Sequence, residues 1–313
     1  MTTTTQPTTA AHNSVVDVTE VRRTFGDVVA LERVSLAVER GEMVGLLGPN
    51  GAGKSTLLSL ITGQRRPDSG TVRIFGQDPR LPAARIGLGV TPQETGLPAS
   101  LRVGEVIDFV SGHYPDPMPR TELMARFDLT DLAHRQTGGL SGGQKRRLAV
   151  ALSLAGRPRL VLLDEPTTGL DVEGRRALWE ALRDYHREGA TVIVTSHYLE
   201  EIEALAERVV VIGSGRILTD DTLSAVVDRV QAHRVALRSS AAAELLAALP
   251  GVSSIDTGGD RINLITTDSD GLVRALVSDG VPFSGLEVRG ASLEEAFLAL
   301  TDTKELSDTK DAA

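Results

Sequence analysis

The sequence predicts an α/β protein in which a largely parallel, buried β-sheet is followed by a smaller α+β domain. Short apolar runs separated by helical patterns indicate the parallel sheet, because strands buried on both faces carry nearly continuous apolar residues. The period of the apolar residues changes after about residue 228, which indicates the second domain. With 313 residues, of which 41% are hydrophobic and 24% charged, the chain is long enough for both domains.

The strands of the first domain are marked by β-branched and aliphatic residues. The early ones form an antiparallel part and are expected at Val15–Val18, Val28–Leu31 and Val34–Val38. Met43–Leu47 ends at Gly48, and a helical run over residues 57–63 follows it. Further strands are predicted at Thr71–Phe75, Ile86–Val90, Leu160–Leu163, Thr191–Thr195 and Arg208–Ile212.

An α-helical insertion interrupts this alternation. Residues 102–156 contain one helical face with four apolar residues, a proline-rich turn and two more helical patterns. We therefore predict an insertion at about residues 94–156, within a first domain that spans residues 14–227. The threonine-rich residues 1–13 and the terminal residues 303–313 are expected to be disordered tails.

The second domain, predicted at residues 228–302, has the element order β-α-β-β-α-β of ferredoxin-like folds. A final helix at Leu293–Leu300 carries four apolar residues on one face, and no catalytic cluster is present. We expect this domain to support regulation or dimerisation. Its predicted elements are Val235–Leu237, Ala241–Leu249, Val252–Ile255, Arg261–Ile265, Leu272–Val277 and Phe283–Val288.

Residues 48–56, GPNGAGKST, match the phosphate-binding pattern G-x-x-x-x-G-K-[ST] between a predicted strand and a helix. Glycines let backbone N–H groups surround phosphate oxygens, and the helix N-terminus favours negative charge. The motif predicts a P-loop NTPase core but does not separate kinases, GTPases and transport ATPases. Its expected nucleotide-binding residues are Gly48, Pro49, Asn50, Gly51, Ala52, Gly53, Lys54, Ser55 and Thr56.

A second set of motifs narrows the class. Leu140–Gln144, with the sequence LSGGQ, opens a predicted helix, and the strand Leu160–Leu163 ends in Asp164 and Glu165. Together with Gln93, Asp171 and His197 in this order and spacing, the chain resembles the nucleotide-binding subunits of ATP-binding cassette (ABC) transporters over about residues 14–220.

The resemblance implies ATP and Mg²⁺ as ligands and gives several residues a role. Phe25 would stack on adenine, although an ordinary core position is the alternative. Glu165 would act as the general base, with its proton affinity raised by neighbouring phosphates. Gln93 would contact Mg²⁺ and the attacking water, and His197 the γ-phosphate. The implied catalytic residues are Glu165, His197, Gln93 and Lys54, and the implied metal ligands are Ser55, Gln93 and Asp164.

The resemblance also implies a dimer. The tip residues Ser141, Gly142, Gly143 and Gln144 would face the nucleotide of a second subunit, and Asp171 would reach across the same interface. Two chains, expected to be identical, would then bury two ATP molecules between them. Hydrolysis would remove the γ-phosphate contacts and let the subunits separate.

The implied membrane partner is a separate permease, because no segment approaches the roughly 18 apolar residues that a span needs. The chain is expected to lie peripherally at the cytoplasmic face of the membrane. A permease helix would dock at residues 95–114, where Leu97, Leu101, Val103 and Phe109 offer apolar surface or simply form core. The motif details favour exporters of drugs, antibiotics, lipids or ions.

The alternative is a soluble ABC ATPase that acts on nucleic acid or ribosomes. A net charge of −9, a single P-loop and a single LSGGQ motif argue against it, and no nucleic-acid partner is expected. The absence of cysteine excludes disulfides and thiolate metal sites.

Other charged and aromatic residues receive structural interpretations. Arg146 and Arg147 are expected to be solvated or to pair with acids, and Trp179 to pack. Glu200 and Glu201 begin a predicted helix, where carboxylates favour the helix dipole.

Overall fold

The computed structural model describes residues 14–91, 96–228, 233–257, 261–290, 292–294 and 297. The chain folds into two compact units, Met1–Asp220 and Asp221–Ala313. The boundary predicted at residues 227/228 lies further along the chain than this division. The two predicted tails, Gln93 and most of the predicted helix at Leu293–Leu300 lie outside the described residues.

A three-stranded antiparallel sheet begins the first unit, with the order β2-β1-β4. Its strands are β1 (Ser14–Phe25), β2 (Val28–Glu39) and β4 (Ser69–Ile74). The prediction of two strands between Val28 and Val38 was wrong, because they form the single strand β2. Arg33 and its ion-pair partner Glu20 both adopt positive φ, of 52° and 49°. The irregularity between the apolar runs is therefore a bulge in a continuous ladder and not a turn.

A six-stranded sheet with the order β5-β6-β7-β3-β8-β9 carries the rest of the first unit. The strands from β5 to β8 are parallel, as predicted. Strand β9 was missed because its sequence, RILTDDT, is mostly polar. The strands are β3 (Met43–Leu47), β5 (Leu88–Thr91), β6 (Leu160–Asp164), β7 (Thr191–Thr195), β8 (Arg208–Gly213) and β9 (Arg216–Thr222).

Helices connect these strands, and aliphatic side chains from both sheets pack with helix α1 in one core. The part of the predicted insertion that the structure describes, from residue 96 to 156, contains helices α3 to α5 and two short 3₁₀ turns but no strand, as expected. The helices are α1 (Lys54–Ile61), α2 (Pro82–Arg85), α3 (Val103–Ser111), α4 (Arg120–Arg126), α5 (Gly142–Leu154), α6 (Val172–Arg187) and α7 (Leu199–Leu205).

The second unit begins with helix α8 (Leu223–Asp228) and contains an antiparallel sheet with the order β11-β12-β10-β13. Its elements follow the predicted β-α-β-β-α-β order, so the ferredoxin-like arrangement is confirmed. Leu237, Leu264 and Leu272 lie in its aliphatic core. The elements are β10 (His233–Ser239), α9 (Ala243–Ala247), β11 (Val252–Asp256), β12 (Ile262–Thr266), α10 (Ser269–Ser278) and β13 (Phe283–Gly290).

Candidate nucleotide-binding and catalytic site

The phosphate-binding loop leaves β3 at Gly48 and enters α1 at Lys54. Two of its glycines are required by geometry. Gly48 has a φ of 157°, and a Cβ there would lie 2.2 Å from the carbonyl oxygen of Ile212; Gly53 has a φ of 111°, with the corresponding distance to Ala30 O being 2.6 Å. Only glycine fits both the backbone conformation and the space. The loop is therefore a close-packed backbone turn at a helix N-terminus, the arrangement that binds phosphate.

Lys54 is half-buried beside this loop, and its ammonium group lies against the loop backbone. Its Nζ donates to Gly48 O at 2.5 Å and to Pro49 O at 3.0 Å. Burial lowers the pKa of Lys54, while the charges of Glu165 and Asp164 oppose that shift. An anion bound in the loop would meet a cation that is already desolvated, which strengthens their attraction.

Asp164 is the last residue of β6, and Glu165 opens the turn that follows. Glu165 adopts a φ of 51°, which is strained for a residue with a side chain. The adjacent strand holds this conformation: Glu165 N donates to both Thr195 O and Thr195 Oγ1 at 3.1 Å, and Thr195 Oγ1 donates to Asp164 Oδ1 at 2.5 Å. The end of β7 thus fixes the backbone that orients both carboxylates.

His197 lies beside the carboxylate of Glu165. Its Nδ1 is 3.3 Å from Glu165 Oε2, and about half of its side chain is exposed. Thr168 Oγ1 contacts the same oxygen at 3.4 Å. Two groups that can exchange or polarise protons therefore meet at the carboxyl ends of β6 and β7.

Ser55 and Asp164 line one cavity of about 170 Å³ beside the start of α1. A hydroxyl and a carboxylate are donors that Mg²⁺ accepts, with substrate phosphates completing its shell. Two of the three implied metal ligands therefore fit, and Gln93 lies outside the described residues. Within residues 14–91, 96–228 and the described part of the second unit, no three His, Cys, Asp or Glu side chains form a metal-binding group.

The LSGGQ tip and Asp171 lie at a different cavity. Ser141 caps α5 by accepting from Gln144 N at 3.2 Å, and the Gln144 side chain accepts from Ser141 N at 3.0 Å. Asp171 caps α6 by accepting from Gly174 N at 2.7 Å. Both caps line a cleft of about 630 Å³, together with Gly142, Gly143 and Gln144 but with no residue of the phosphate-binding loop.

Phe25 is 38% exposed at the end of β1, not a core residue. The guanidinium carbons of Arg23 and Arg65 lie 5.0 and 4.9 Å from its ring centroid. A base stacked on Phe25 would therefore lie beside two cations.

The four apolar residues of the predicted permease contact differ in their exposure. Val103 is fully buried, so it belongs to the core and offers no surface. Phe109 is 67% exposed and packs edge-on against His113, whereas Leu97 and Leu101 are half-buried. In the described part of the chain, no helix combines the length and apolar character of a membrane span.

Of two neighbouring arginines near the site, one differs from its sequence-based interpretation. Arg146 is only 6% exposed and donates to the backbone carbonyls of Asp164, Glu165 and Pro166. Burial lowers the pKa of Arg146, and nearby acids oppose the shift. Arg147, in contrast, forms the expected ion pair, with Asp128.

Glu201 was predicted only as a favourable charge in the first turn of a helix. The structure buries its side chain completely, beneath the segment that carries His197. The apolar and polar order of α7 gives one hint, because Glu201 precedes the buried Ile202 whereas Glu200 is exposed. Two of its hydrogen-bond partners, Thr167 and Trp179, lie 34 and 22 residues away, so no local pattern could have identified them.

The chain is similar to known proteins over most of its length. A protein-family model described as ABC transporter matches residues 31–168. The chain is 35% identical to a daunorubicin resistance ATP-binding protein of Streptomyces coeruleorubidus, covering 92% of this chain and 96% of that protein. It is also 35% identical to the Nod factor export ATP-binding protein I of Rhizobium sp. (strain N33), over 91% of this chain and 96% of the relative.

Solved structures resemble about two thirds of the chain. One, an ATP-binding subunit of an ABC transporter, is 26% identical, with a TM-score of 0.63 over 69% of this chain and 92% of its own. Another is a dimeric ATP-binding cassette in a post-hydrolysis state, bound to ADP and Pi. It is 27% identical, with a TM-score of 0.61 over 66% of this chain and 98% of its own.

Proposed function

Because this chain belongs to the ABC transporter family and is one of its ATP-hydrolysing cassettes, we propose that it drives export through a separate integral membrane permease. The family predicted from the LSGGQ and phosphate-loop motifs is confirmed by the relatives. The observation that carries the proposed site is the contact of 3.3 Å between Glu165 and His197 beside the cavity that Ser55 and Asp164 line.

ATP binds, in this proposal, with its phosphates at Gly48–Thr56 and its adenine at Phe25. The loop glycines present backbone N–H groups, and Lys54 leaves its contacts with Gly48 O and Pro49 O to pair with phosphate oxygens. Ser55, Asp164 and Gln93 would hold Mg²⁺, and the ion would supply positive charge against the phosphates.

Hydrolysis depends on Glu165 and His197. Glu165 accepts a proton from the attacking water, and Gln93 helps to place that water. His197 donates a hydrogen bond to the γ-phosphate while its Nδ1 side stays near Glu165. The strained backbone of Glu165, fixed by Thr195, keeps the carboxylate in one orientation, which lowers the reorganisation needed for reaction.

A second copy of the chain completes each site. The cleft at Ser141 and Asp171 lacks any residue of the phosphate-binding loop, which supports a head-to-tail homodimer in which this cleft covers the partner's ATP. The N-terminus of α5 at Ser141 then places a positive dipole end beside the γ-phosphate. The similar cassette that is dimeric and bound to ADP and Pi supports dimerisation.

The permease contact involves the exposed Phe109 on α3. An exposed aromatic side chain on the helical insertion suits a docked permease helix. The chain itself lies peripherally at the cytoplasmic face of the membrane. Drugs, antibiotics, lipids and ions are the substrate classes, in keeping with relatives named for daunorubicin resistance and Nod factor export.

The test replaces Glu165 by glutamine and measures hydrolysis and dimerisation. Glu165→Gln removes the base but keeps the size and a hydrogen-bonding oxygen, so hydrolysis should slow by about 10²–10⁴-fold. ATP should still bind, and the variant should collect as an ATP-bound dimer in size-exclusion chromatography. Glu200→Gln, which changes an exposed carboxylate, is the matched control. Wild-type hydrolysis by Glu165→Gln would refute the assignment.

A further inference from the structure

The buried Glu201 carboxylate contacts two segments of the proposed catalytic site, the turn that carries Glu165 and the segment that carries His197. Its Oε2 accepts a hydrogen bond of 2.9 Å from Thr167 Oγ1, and Thr167 lies two residues after Glu165. Its Oε1 accepts from Trp179 Nε1, on α6, at 3.3 Å. Glu201 itself is fully buried, and so is Thr167. One buried carboxylate therefore joins the Glu165 turn to two helices.

The same residue is tied to the segment that carries His197. Glu201 N donates to Tyr198 O at 3.0 Å, and Tyr198 N donates to Ser196 Oγ at 2.9 Å. These bonds involve the residues immediately before and after His197, and Ser196 is buried. Ser196 also donates a side-chain hydrogen bond to the Glu201 carboxylate, so the backbone and the side chain of Glu201 both contact the residues that flank His197.

The electrostatics explain why a carboxylate can be retained at this position. Burial raises the pKa of Glu201, whereas hydrogen bonds from the side chains of Ser196, Thr167 and Trp179 oppose that shift. A buried carboxylate costs stability unless donors surround it, and a well-packed apolar residue often replaces such a group without loss. If stability alone mattered, an apolar residue could replace Glu201 and make the donors from three separate elements unnecessary.

We propose that Glu201 is a positioning residue for ATP hydrolysis: it holds the Asp164–Thr167 turn and the Ser196–Tyr198 segment in one register, so that Glu165 and His197 stay in contact. This inference rests on the proposed function of Glu165 and His197. Glu201 touches no substrate in this role and acts only through Thr167 and the residues around His197.

The most direct test compares two of the hydrogen bonds that Glu201 accepts. Thr167→Val removes the hydroxyl that joins Glu201 to the Glu165 turn, with little change in shape, and kcat should fall at least about 10-fold, since a small misplacement can cost up to about 10²-fold. The Kd for ATP should change by less than about threefold, because the phosphate-binding loop is untouched. Thr167→Ser, which restores the hydroxyl, should recover most of kcat.

Trp179→Phe is the matched comparison, because it removes a hydrogen bond to the same carboxylate from a helix that carries no proposed catalytic group. We expect a kcat within about twofold of the wild type. A purely structural role of Glu201 would instead make both variants lose thermal stability, with equal kcat for the folded protein. That result would overturn the proposal.

Substitutions of Glu201 itself provide the rescue experiment. Glu201→Ala should lower kcat by about 10–10²-fold with ATP binding retained. Glu201→Gln should recover kcat to within about threefold of the wild type, because its oxygen can face Trp179 Nε1 and its amide can face the Thr167 hydroxyl. If Glu201→Ala does not fold, the Thr167→Val and Trp179→Phe pair decides alone.

Glu165→Gln separates this inference from the proposed function. If Glu165→Gln abolishes hydrolysis while Thr167→Val and a folded Glu201→Ala retain wild-type kcat, the positioning role is wrong and the catalytic assignment stands. If Glu165→Gln hydrolyses ATP normally, the proposed function itself fails. Glu200→Ala, next to Glu201 but exposed, should match the wild type in every assay.

Discussion

In the first unit, polar side chains are buried around the Asp164–Thr167 turn, whereas the described core of the second unit is almost entirely aliphatic. Thr167, Thr195, Ser196 and Glu201 are all buried near that turn. Among the described residues of the second unit, Thr266 is the only buried polar side chain. Buried polar groups lower stability unless they are hydrogen-bonded, so their concentration in one unit indicates where the chain requires fixed geometry for chemistry.

Helix caps make the same comparison on a smaller scale. Ser141 caps α5 and Asp171 caps α6. Both line the cleft that, in our proposal, covers the ATP bound by the partner subunit. In the second unit, Asp268 caps α10 by accepting from Gly271 N at 2.8 Å. The caps are chemically alike. Substituting each of them therefore separates the effect of capping on helix stability from any additional effect on the nucleotide site.

The largest effect is expected from Lys54→Ala in the phosphate-binding loop. Loss of a charge-assisted contact to the phosphates should weaken ATP binding by about 100-fold or more. Fluorescence titration with ATP measures this change. Arg289→Ala, which removes an exposed cation of the second unit, should bind ATP normally. An ATP affinity equal to that of the wild type in Lys54→Ala would show that the loop is not the phosphate site.

Much of the first unit could be predicted because its decisive signals are local. The loop at residues 48–56 needs glycine at Gly48 and Gly53, and its motif states this directly. The strands predicted at Thr191–Thr195 and Leu160–Leu163 were identified because short runs of aliphatic residues mark them, and the structure buries every residue of both ranges. The ferredoxin-like order of the second unit followed from the same kind of pattern.

The features that sequence patterns missed depend on contacts between distant residues or on polar strands. Arg146 donates to carbonyls 18 to 20 residues away, and Glu201 accepts from Thr167, 34 residues away. Strand β9 is held beside β8 although its residues are mostly polar. β2 looked like two strands because Arg33, at the bulge, interrupts the apolar alternation. Tertiary contacts decided each case.

An intermediate effect is expected from Ser141→Ala at the LSGGQ tip. The variant loses the cap of α5, worth about 1 kcal/mol of stability. It also loses a donor to the partner's nucleotide, so hydrolysis should fall by about 10²-fold. ATP binding by the single subunit should be unchanged, because Ser141 lies in a different cavity from Ser55. ATP titration measures the affinity, and a steady-state assay measures the hydrolysis rate. If both fell by the same factor, Ser141 would contribute to ATP binding by its own subunit, and the two cavities would not have separate roles.

The smallest effect is expected from Asp268→Ala, which removes the corresponding cap in the second unit. Its loss should cost about 1 kcal/mol, because Gly271 N loses its acceptor at the start of α10. For a unit of this size the unfolding midpoint should fall by about 4–8 °C in calorimetry. Asp268→Asn should keep the midpoint near the wild type, since asparagine caps almost as well.

Hydrolysis by Asp268→Ala, measured well below its unfolding midpoint, should equal the wild-type rate. Ser141→Ala and Asp268→Ala lose the same kind of hydrogen bond, so a difference in their rates isolates what the LSGGQ tip contributes beyond capping. A fall in hydrolysis for Asp268→Ala would mean that the second unit influences the catalytic site. The contrast between a unit built for chemistry and a unit built only around an apolar core would then no longer hold.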